Sequence, residues 1–271
     1  MGYTKKNHRY QEERMKLPFL LVLIVLSLCS SLNAQTPPSQ AAAAGYSHLV
    51  FDDEFNSPDT VSPNGSGNYN WYLTSIYGSP ALPASGYSIQ NGYLEIKTDS
   101  SGYSYGMATV DPENTVQAWQ HGYFEARILF CSTCSQGHGW PSFWSASIER
   151  ATGQIPESAP SGELDVFEYY VSGGYRYYLT TVHQSSGMAK GVQNLNNVPT
   201  VPSGTNYGAW HIYGCLWTTN EVRWYFDNNL VETVKTGPGT PYTALEQEKM
   251  FLILGTGVNW PTYVDYVHVW Q

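Results

Sequence analysis

The sequence is poor in charged residues, above all in cationic ones. Charged side chains make up 13% of the 271 residues, and 13 Lys plus Arg stand against 22 Asp plus Glu, whereas soluble domains average about 25% charge. The net charge of -9 argues against nucleic acid or an anionic membrane surface as a partner, because both attract basic patches. The hydrophobic share of 42% still provides for a sizeable core, so the chain is not disordered.

Cysteine is also scarce, and two familiar phosphate and metal motifs are missing. The sequence has no Gly-Lys-Ser/Thr phosphate loop and no His-Glu-x-x-His zinc helix. Cys131 and Cys134 could close a small disulfide loop or remain thiols, and a zinc site would need a second cysteine pair that the sequence lacks. Cys215 lies in an apolar strand pattern, which predicts a buried, inert thiol.

The apolar run near the start, at 17–29, is too short to cross a membrane comfortably. It follows a basic stretch and precedes small residues, an order typical of a signal peptide. We therefore predict a signal peptide over 1–34, cleaved after Ala34, with Met15 as an alternative start and an uncleaved anchor as the rival interpretation. The expected product is extracellular or periplasmic, without membrane attachment. Residues 35–45, rich in Pro, Ser, Gln and Ala, predict a short flexible lead.

Helical periodicity is scarce, whereas strand patterns recur between clusters of Gly, Pro, Asn and Ser. Period-two alternation marks strands with one buried face. Such stretches include 93–97, 122–130, 178–183, 211–217, 221–226 and 263–270, and a hairpin turn is predicted at 227–229. Many strands and few helices predict one all-β domain over 46–271, a β-jelly-roll sandwich of two antiparallel sheets. A concave sheet face in such a fold would provide an open cleft for a long polymer.

The most informative segment is Ser161-Gly-Glu-Leu-Asp-Val-Phe-Glu168. On a strand, Glu163 and Asp165 point to one face, because side chains alternate. Glu168 would point to the opposite face unless a β-bulge near Val166 or Phe167 absorbs one residue. The bulge would put three acids on one face, where they repel one another, and a purely structural strand rarely does this. The alternative interpretation is a solvated strand face.

Paired carboxyls carry out the chemistry of most glycosidases. One attacks or stabilises the anomeric carbon, and the other protonates the leaving oxygen and later activates water. A third acid between them can push their pKa values apart, so that one carboxyl is ionised while another is protonated.

Glu-Leu-Asp-Val-Phe-Glu168 resembles the active-site motif of glycoside hydrolase family 16, in the bulged form common among laminarinases, agarases and carrageenases. Four further segments resemble family sequences in the same order, so the resemblance covers 49–271. They are Phe51-Asp-Asp-Glu-Phe55, Tyr123-Phe-Glu-Ala-Arg127, Trp140-Pro-Ser-Phe-Trp144 and Val264-Asp-Tyr-Val-His-Val269. His268 stands where the family more often has Arg.

The resemblance implies a jelly roll with a cleft across its concave sheet, with Glu163 as nucleophile, Asp165 as its assistant and Glu168 as acid/base. We therefore expect a secreted, endo-acting, retaining hydrolase of β-linked polysaccharide, with β-1,3- or β-1,3/1,4-glucan as the first substrate. Alternatives are a hydrolase of agar- or carrageenan-type galactans, a transglycosylase and, in another class, a non-catalytic glycan-binding module. Family relatives that only bind sugar typically lack the catalytic acids.

Aromatic residues make up 15% of the chain and suit either sugar stacking or a β-rich core. Trp140, Trp144, Trp119 and Trp260 are candidate substrate-binding platforms, each with core packing as the alternative. His183 resembles a histidine on the strand after the active-site strand. It could hydrogen-bond a catalytic carboxylate or a sugar hydroxyl, or be a buried, satisfied core residue.

No cofactor is expected to be required, and no metal is assigned to the acidic segment. Relatives often carry a structural calcium away from the cleft, and Glu54 and Asp265 match its acids, although calcium takes six to eight oxygens. The expected partner is the polysaccharide substrate, and we expect a monomer.

Overall fold

A computed structural model of the chain describes residues 1, 35–63, 65, 67–73, 82–97, 105–110, 117–130, 140–148, 160–169, 178–186, 193–242, 245, 249–256 and 261–271. The chain divides into two compact units, Met1–Ala34 and Gln35–Gln271. Nearly all of the predicted signal peptide lies outside the described residues, and its cleavage stays a prediction. Within the described ranges, no helix has the length and apolarity needed to cross a membrane.

The second unit is built almost entirely of β-strands in its described part. The elements in chain order are α1 (Ser39–Ala43), β1 (Leu49–Asp53), two 3₁₀ turns (Pro58–Thr60 and Ala84–Gly86), β2 (Tyr87–Gln90), β3 (Tyr93–Ile96), β4 (Tyr105–Ala108), β5 (Ala118–Trp119), β6 (Gly122–Phe130), β7 (Ser142–Ser147), β8 (Pro160–Glu168), β9 (Leu179–Ser186), β10 (Gln193–Asn197), β11 (His211–Trp217), β12 (Glu221–Phe226), β13 (Asn229–Lys235), β14 (Met250–Thr256) and β15 (Thr262–Trp270).

The strands form two antiparallel sheets, which confirms the predicted fold class. The eight-stranded sheet runs in the order β13-β12-β11-β6-β15-β3-β2, with β1 also paired to β15. The seven-stranded sheet runs in the order β10-β9-β8-β7-β14-β4, with β5 also paired to β14. Neighbours that are far apart in sequence, such as β6 and β15, distinguish this topology from a simple meander.

Alternating side chains explain how the two sheets meet. On β6 the apolar residues at 124, 126, 128 and 130 enter the shared core, and β14 contributes those at 250, 252 and 254 from the other sheet. The predicted strands at 122–130, 211–217 and 221–226 coincide with β6, β11 and β12. Asp227 and Asn228 have φ of 47° and 64°, which fits the predicted hairpin between β12 and β13.

Most of the described tryptophan side chains are buried. Of the eight tryptophans among the described residues, five are buried: Trp71, Trp119, Trp217, Trp224 and Trp270. Cys215 is buried on β11, and burial raises the pKa of its thiol, as expected for an inert cysteine. Cys131 and Cys134 lie outside the described residues.

The structure differs from the sequence prediction at 35–45, where a flexible lead was expected. This segment contains α1, whose Ala41 is fully buried on the outer face of the eight-stranded sheet. Gln40 Nε2 also donates a hydrogen bond to the Tyr123 hydroxyl at 2.7 Å. The run of alanines favours a helix, and the small side chain at 41 fits against the sheet. The packed unit therefore begins at 35 rather than 46.

Candidate active site

Strand β8 carries the three candidate acids and contains the predicted β-bulge. Asp165 lies opposite Thr181 of β9, whereas Glu168 lies opposite Leu179. Three steps along β8 therefore match two along β9, so one residue is extra. This places the bulge at Val166 and Phe167, where the resemblance to the bulged form of the family motif led us to expect it.

The pairing of β8 with β7 shows the same irregularity. Its register shifts between Phe143 and Trp144, at the level of the bulge. Beyond it the pairing resumes, because Tyr169 N–H donates to the Pro141 carbonyl at 3.0 Å. The bulge is thus a local kink inside a continuous strand.

The bulge sorts the side chains of β8 onto two faces. Leu164, Val166 and Phe167 all enter the core between the sheets, although two of them are consecutive. The three acids consequently lie together on the other face of the strand. With a histidine from β9 they form what we call the acid-face cluster, which consists of Glu163, Asp165, Glu168 and His183.

Gly162, just before the first acid, lets β8 lie close to the core. A Cβ at this position would stand 2.6 Å from Met250 Cε and 2.8 Å from Leu245 Cδ2. Separations this short would force these side chains to move, in a core that is packed without spare room. Glycine at this position therefore leaves room for the ends of the Met250 and Leu245 side chains against β8.

His183 joins the two nearest acids. It lies opposite Glu163 in the β8–β9 pairing, and its Nε2 is 2.9 Å from Asp165 Oδ2 and 3.5 Å from Glu163 Oε1. The Asp165 side chain is 1% exposed, whereas that of Glu163 keeps 19% of its surface. Glu163 is thus a carboxylate that solvent reaches, as it also reaches His183, whereas Asp165 is buried between them and the sheet. The expected contact between His183 and a candidate catalytic carboxylate is confirmed.

In the acid-face cluster, the pKa of the Glu168 carboxyl is strongly raised. Burial raises its pKa to about 9, aided by the negative charges of Asp165 and Glu163 and opposed by a hydrogen bond from Trp140 and by His183. Glu168 therefore carries a proton at neutral pH. A protonated carboxyl beside a more accessible one is suited to act as a general acid.

Trp140 lies at the open side of this carboxyl. Trp140 is 43% exposed, and its Nε1 donates a hydrogen bond to Glu168 Oε1 at 3.0 Å. This bond favours the ionised form of Glu168, which a general acid must adopt after it has given up its proton. The predicted location of Trp140 at the site is confirmed, and stacking of its ring on sugar stays a prediction.

Trp144 faces the same side of the sheet. It lies opposite Asp165 and opposite Ile253 of β14, and cross-strand partners share a face. Its half-buried ring packs against a small apolar cluster beside the acids that includes Phe251 and Ala146. Trp144 is therefore packed and also borders the acid-face cluster, and its role as a sugar platform stays a prediction.

Trp119 requires a correction, because it is not a substrate platform. It is 9% exposed and belongs to the main core, with its ring edge-on to Phe51 at 5.3 Å between centroids. It pairs with Met250, whose side chain also points inward. Its polar-looking sequence neighbours concealed an inward-facing position on a two-residue strand. Trp260, the remaining platform candidate, lies outside the described residues.

The acid-face cluster also has the composition of a metal site. Ligand-capable atoms of Glu163, Asp165 and His183 lie within 4.8 Å of one another. Hydrogen bonding to the histidine already accounts for this spacing, and we assign no metal to it.

A second histidine–carboxylate group lies on the outer face of the eight-stranded sheet. We call it the outer cluster, which consists of Asp52, Glu54, Glu125 and His268. His268 Nε2 is 2.9 Å from Glu54 Oε1, and its Nδ1 is 3.5 Å from Glu125 Oε1. Burial by itself lowers the pKa of His268, but the hydrogen bonds with Glu125 and Glu54 outweigh it and raise that pKa.

The calcium site expected at Glu54 and Asp265 does not fit the donors found there. Glu54 is bound to His268, and Asp265 is paired with the guanidinium of Arg127. The group on this face with atoms close enough to share an ion is Asp52, Glu54 and His268, as far as the described residues go. Two carboxylates and a ring nitrogen are a poor set for calcium, which takes six to eight oxygens.

Two contacts at the site were missed by sequence reasoning. Trp140 was expected to meet sugar, not to donate to Glu168. Trp224 of β12 donates from Nε1 to the backbone carbonyl of Asp165 at 2.8 Å, across 59 residues of sequence. No local pattern signals that second contact, because it depends on how the two sheets are superposed.

A carboxyl protonated at neutral pH and a second, solvent-reaching carboxyl on one face of a β-sandwich are the working parts of a glycosidase. Residues 84–263 match the model of the family "Glycosyl hydrolases family 16". The chain belongs to this family.

Relatives and solved structures agree with that assignment. Endo-1,3-1,4-beta-glycanase ExsH of Rhizobium meliloti is 28% identical over 186 residues, which cover 65% of this chain and 36% of the relative. Keratan-sulfate endo-1,4-beta-galactosidase of Sphingobacterium multivorum is 26% identical over 272 residues, which cover 89% of this chain and 58% of the relative. The chain thus spans only about a third to three fifths of these proteins.

The fold is shared with laminarinases. The laminarinase of Flavobacterium sp. UMI-01 superposes with a TM-score of 0.58 at 20% identity, covering 83% of this chain and 100% of that one. The similarity at this level of identity is one of fold, and it supports the jelly-roll architecture.

Proposed function

We propose that this chain is an endo-acting, retaining glycoside hydrolase that cuts β-1,3- or mixed β-1,3/1,4-glucan. The observation that carries the proposal is the bulge at Val166, which sets the buried, protonated Glu168 on the same face as the accessible Glu163. Membership of the family supports the same reaction class. A module that only bound glycan would gain nothing from a buried carboxyl kept protonated among other acids.

Each acid has a separate role in the proposed double displacement. Glu163 attacks the anomeric carbon while Glu168 gives its proton to the leaving oxygen, which produces a glycosyl ester on Glu163 and a free sugar hydroxyl. Glu168 then takes a proton from water, and the water oxygen displaces Glu163 from the anomeric carbon. Asp165 and His183 hold Glu163 in place. Capture of the ester by a sugar hydroxyl instead of water would give transglycosylation.

The charge of the chain and its relatives favour a neutral glucan. The net charge is -9, and the groups whose charge acts on Glu168 are Asp165, Glu163 and His183. A sulfated galactan would call for cations there. The relative named for endo-1,3-1,4-β-glycanase activity and the laminarinase fold support the same choice.

A galactan is the second candidate. It is favoured by one observation, the alignment of the keratan-sulfate endo-1,4-beta-galactosidase with 89% of this chain. Cleavage of agarose, carrageenan or keratan sulfate, with none of laminarin or lichenan, would establish it in place of the glucan proposal.

The test is a polysaccharide panel in which the fresh product is followed by proton NMR. We expect oligosaccharides from laminarin or lichenan, with the β-anomer of the new reducing end appearing before mutarotation. An α-anomer formed first would contradict retention. Binding to a polymer of the panel without any cleavage would contradict the hydrolase itself and favour the glycan-binding module.

We further propose that the chain is exported, loses residues 1–34 and acts as a monomer. The basic start and the apolar run at 17–29 support export. Intact mass of the exported protein should correspond to a start at Gln35, and light scattering should give the mass of one chain. A membrane-bound product that retains the first 34 residues would contradict cleavage.

A further inference from the structure

The backbone carbonyl at the bulge is bonded from the facing sheet. Trp224 is fully buried on β12, and its Nε1 donates to the carbonyl oxygen of Asp165 at 2.8 Å. Carbonyls of a regular strand point along the sheet toward the neighbouring strands. A side chain of the other sheet can reach this carbonyl only if the peptide between Asp165 and Val166 is turned toward the core, and that is where the bulge interrupts the ladder.

The contact satisfies two buried groups at once. A buried carbonyl or N–H that is left without a partner is destabilising, because it has lost its hydrogen bonds with water. At the same bulge, the ring of Phe167 packs among three aromatic rings in the core. The centroid distances are 5.0 Å to Phe130, 5.7 Å to Tyr178 and 4.3 Å to Tyr213. Ring packing of this kind holds Phe167 in the core, but it is weakly directional. The bond from Trp224 is directional, and it selects the orientation of one peptide.

We propose that Trp224 is a positioning residue for Glu168, because its indole N–H holds the peptide after Asp165 in the bulged conformation that turns Glu168 onto the acid face. The inference rests on the proposed acid/base role of Glu168. A strand without the extra residue would send Glu168 toward the core, since a shift of one residue exchanges the faces. A loosened bulge would also change the distance of Glu168 from Asp165 and Glu163 on β8, from His183 on β9 and from Trp140 before β7.

The chain offers a matched control. Trp217 is also fully buried in the core, on the adjacent strand β11 of the same sheet, but within the described part of the chain its Nε1 has no hydrogen-bond partner. Trp217→Phe and Trp224→Phe therefore remove similar volume from one core, and only the second removes a hydrogen bond to the bulge.

The two variants should separate in kinetics. Trp224→Phe is expected to lower kcat on the polymer by about 10-fold or more, with KM changed by less than about 3-fold, since small misplacements of a catalytic group are costly. The alkaline limb of its pH profile should shift, because a loosened bulge changes both the burial of Glu168 and its distances from the charged groups around it. Trp217→Phe should keep kcat and the limb, even if its Tm falls equally. Unchanged kcat and limb in Trp224→Phe, or equal changes in both variants, would overturn the proposal.

A shape-conserving replacement covers the case in which Trp224→Phe does not fold. Benzothienylalanine at position 224 keeps the bicyclic ring but has sulfur in place of the N–H. We expect the same loss of kcat with a Tm close to that of the wild type, and full activity would overturn the proposal.

Two further measurements keep this proposal separate from the proposed function. Carboxyl carbon-13 NMR of labelled glutamate should show a shifted titration midpoint for Glu168 without the Trp224 donor, and it needs no turnover. Glu163→Gln tests the mechanism independently. If Glu163→Gln stays active, the proposed function fails. If it is inactive while the Trp224 variants behave as wild type, only the positioning role fails.

Discussion

Two clusters in this domain are built from histidine and carboxylates, one on each sheet. In the outer cluster, His268 lies directly opposite Asp52 and Glu125, away from the register shifts of the two strand pairings. Burial lowers the pKa of His268, but hydrogen bonds with Glu125 and Glu54 outweigh burial and raise that pKa. The acid-face cluster also combines three acids with one histidine, but its acids lie on a bulged strand. There burial, aided by the charges of Asp165 and Glu163, raises the pKa of Glu168 to about 9.

The comparison shows that histidine beside an acid does not mark a reactive site. A reactive site is instead marked by a carboxyl that the fold keeps protonated next to a second carboxyl that solvent reaches. Such an arrangement lowers stability, and it is therefore expected where the carboxyls take part in a reaction. In the outer cluster, the surrounding acids favour the charged form of the histidine, which is typical of a structural contact. The following predictions test that distinction.

Exchanging one carboxylate for its amide in each cluster should give the largest contrast. Glu163→Gln should lower hydrolysis by on the order of 10⁴-fold or more while polymer binding persists, because the nucleophile is lost. Glu125→Gln should leave kcat within about 3-fold and lower the unfolding temperature. The measurements are steady-state kinetics, affinity electrophoresis and thermal unfolding. Loss of activity in Glu125→Gln without unfolding would break the distinction.

The two histidines should divide in the same way. His183→Asn is expected to lower kcat by about 10- to 100-fold, because Glu163 and Asp165 lose the group between them. His268→Asn removes the histidine partner of the buried Glu125 carboxyl, and it should lower the free energy of unfolding by about 3 kcal/mol with little effect on kcat. Denaturant unfolding and kinetics on the same samples decide this. A His268 variant that is inactive but stable would contradict a structural role.

Glu168 should make the protein less stable as pH rises. Its pKa in the fold is about 9 against an ordinary 4.5, so the folded state binds a proton that the unfolded state has released between these values. Stability from this group is therefore complete below about pH 4.5 and is lost as pH rises toward 9. Glu168→Gln, a neutral mimic of the protonated acid, should remove this dependence. Thermal unfolding from pH 5 to 9 should show a flatter curve for the variant, and parallel curves would contradict the raised pKa.

The smallest effects should distinguish two tryptophans. Trp140→Phe removes the bond that lowers the pKa of Glu168, so the alkaline limb of activity should move to higher pH by a fraction of a unit. Trp119→Phe should leave the pH profile unchanged and lower Tm, because the ring belongs to the core. A shifted limb in Trp119→Phe would restore it as a site residue.

Local sequence was sufficient to predict the features that depend on a single strand, such as its bounds and the faces of its side chains. The alternation on β6, β11 and β12 predicts their bounds, because a strand has period two. In β8 alternation alone would turn Glu168 to the opposite face, and the bulge that reverses this was expected from the resemblance to the family motif.

The failures concern packing between segments far apart in sequence. Trp119 and Trp140 look equally suited to a site, and only the superposition of the sheets buries the first and exposes the second. The contact of Trp224 with the Asp165 carbonyl has the same origin. Residues 35–45 have the composition of a flexible lead, but Ala41 finds a place on the outer face of the sheet. Composition does not contain that information.

The most direct test of the account is the anomeric configuration of products rescued by azide. An aryl β-laminarioligosaccharide with a good leaving group would be given to Glu168→Ala and to Glu163→Ala. The account predicts a β-glycosyl azide from Glu168→Ala, because azide attacks the ester on Glu163, and an α-glycosyl azide from Glu163→Ala by a single displacement. The same anomer from both variants, or the two products exchanged, would contradict the roles assigned to these two acids.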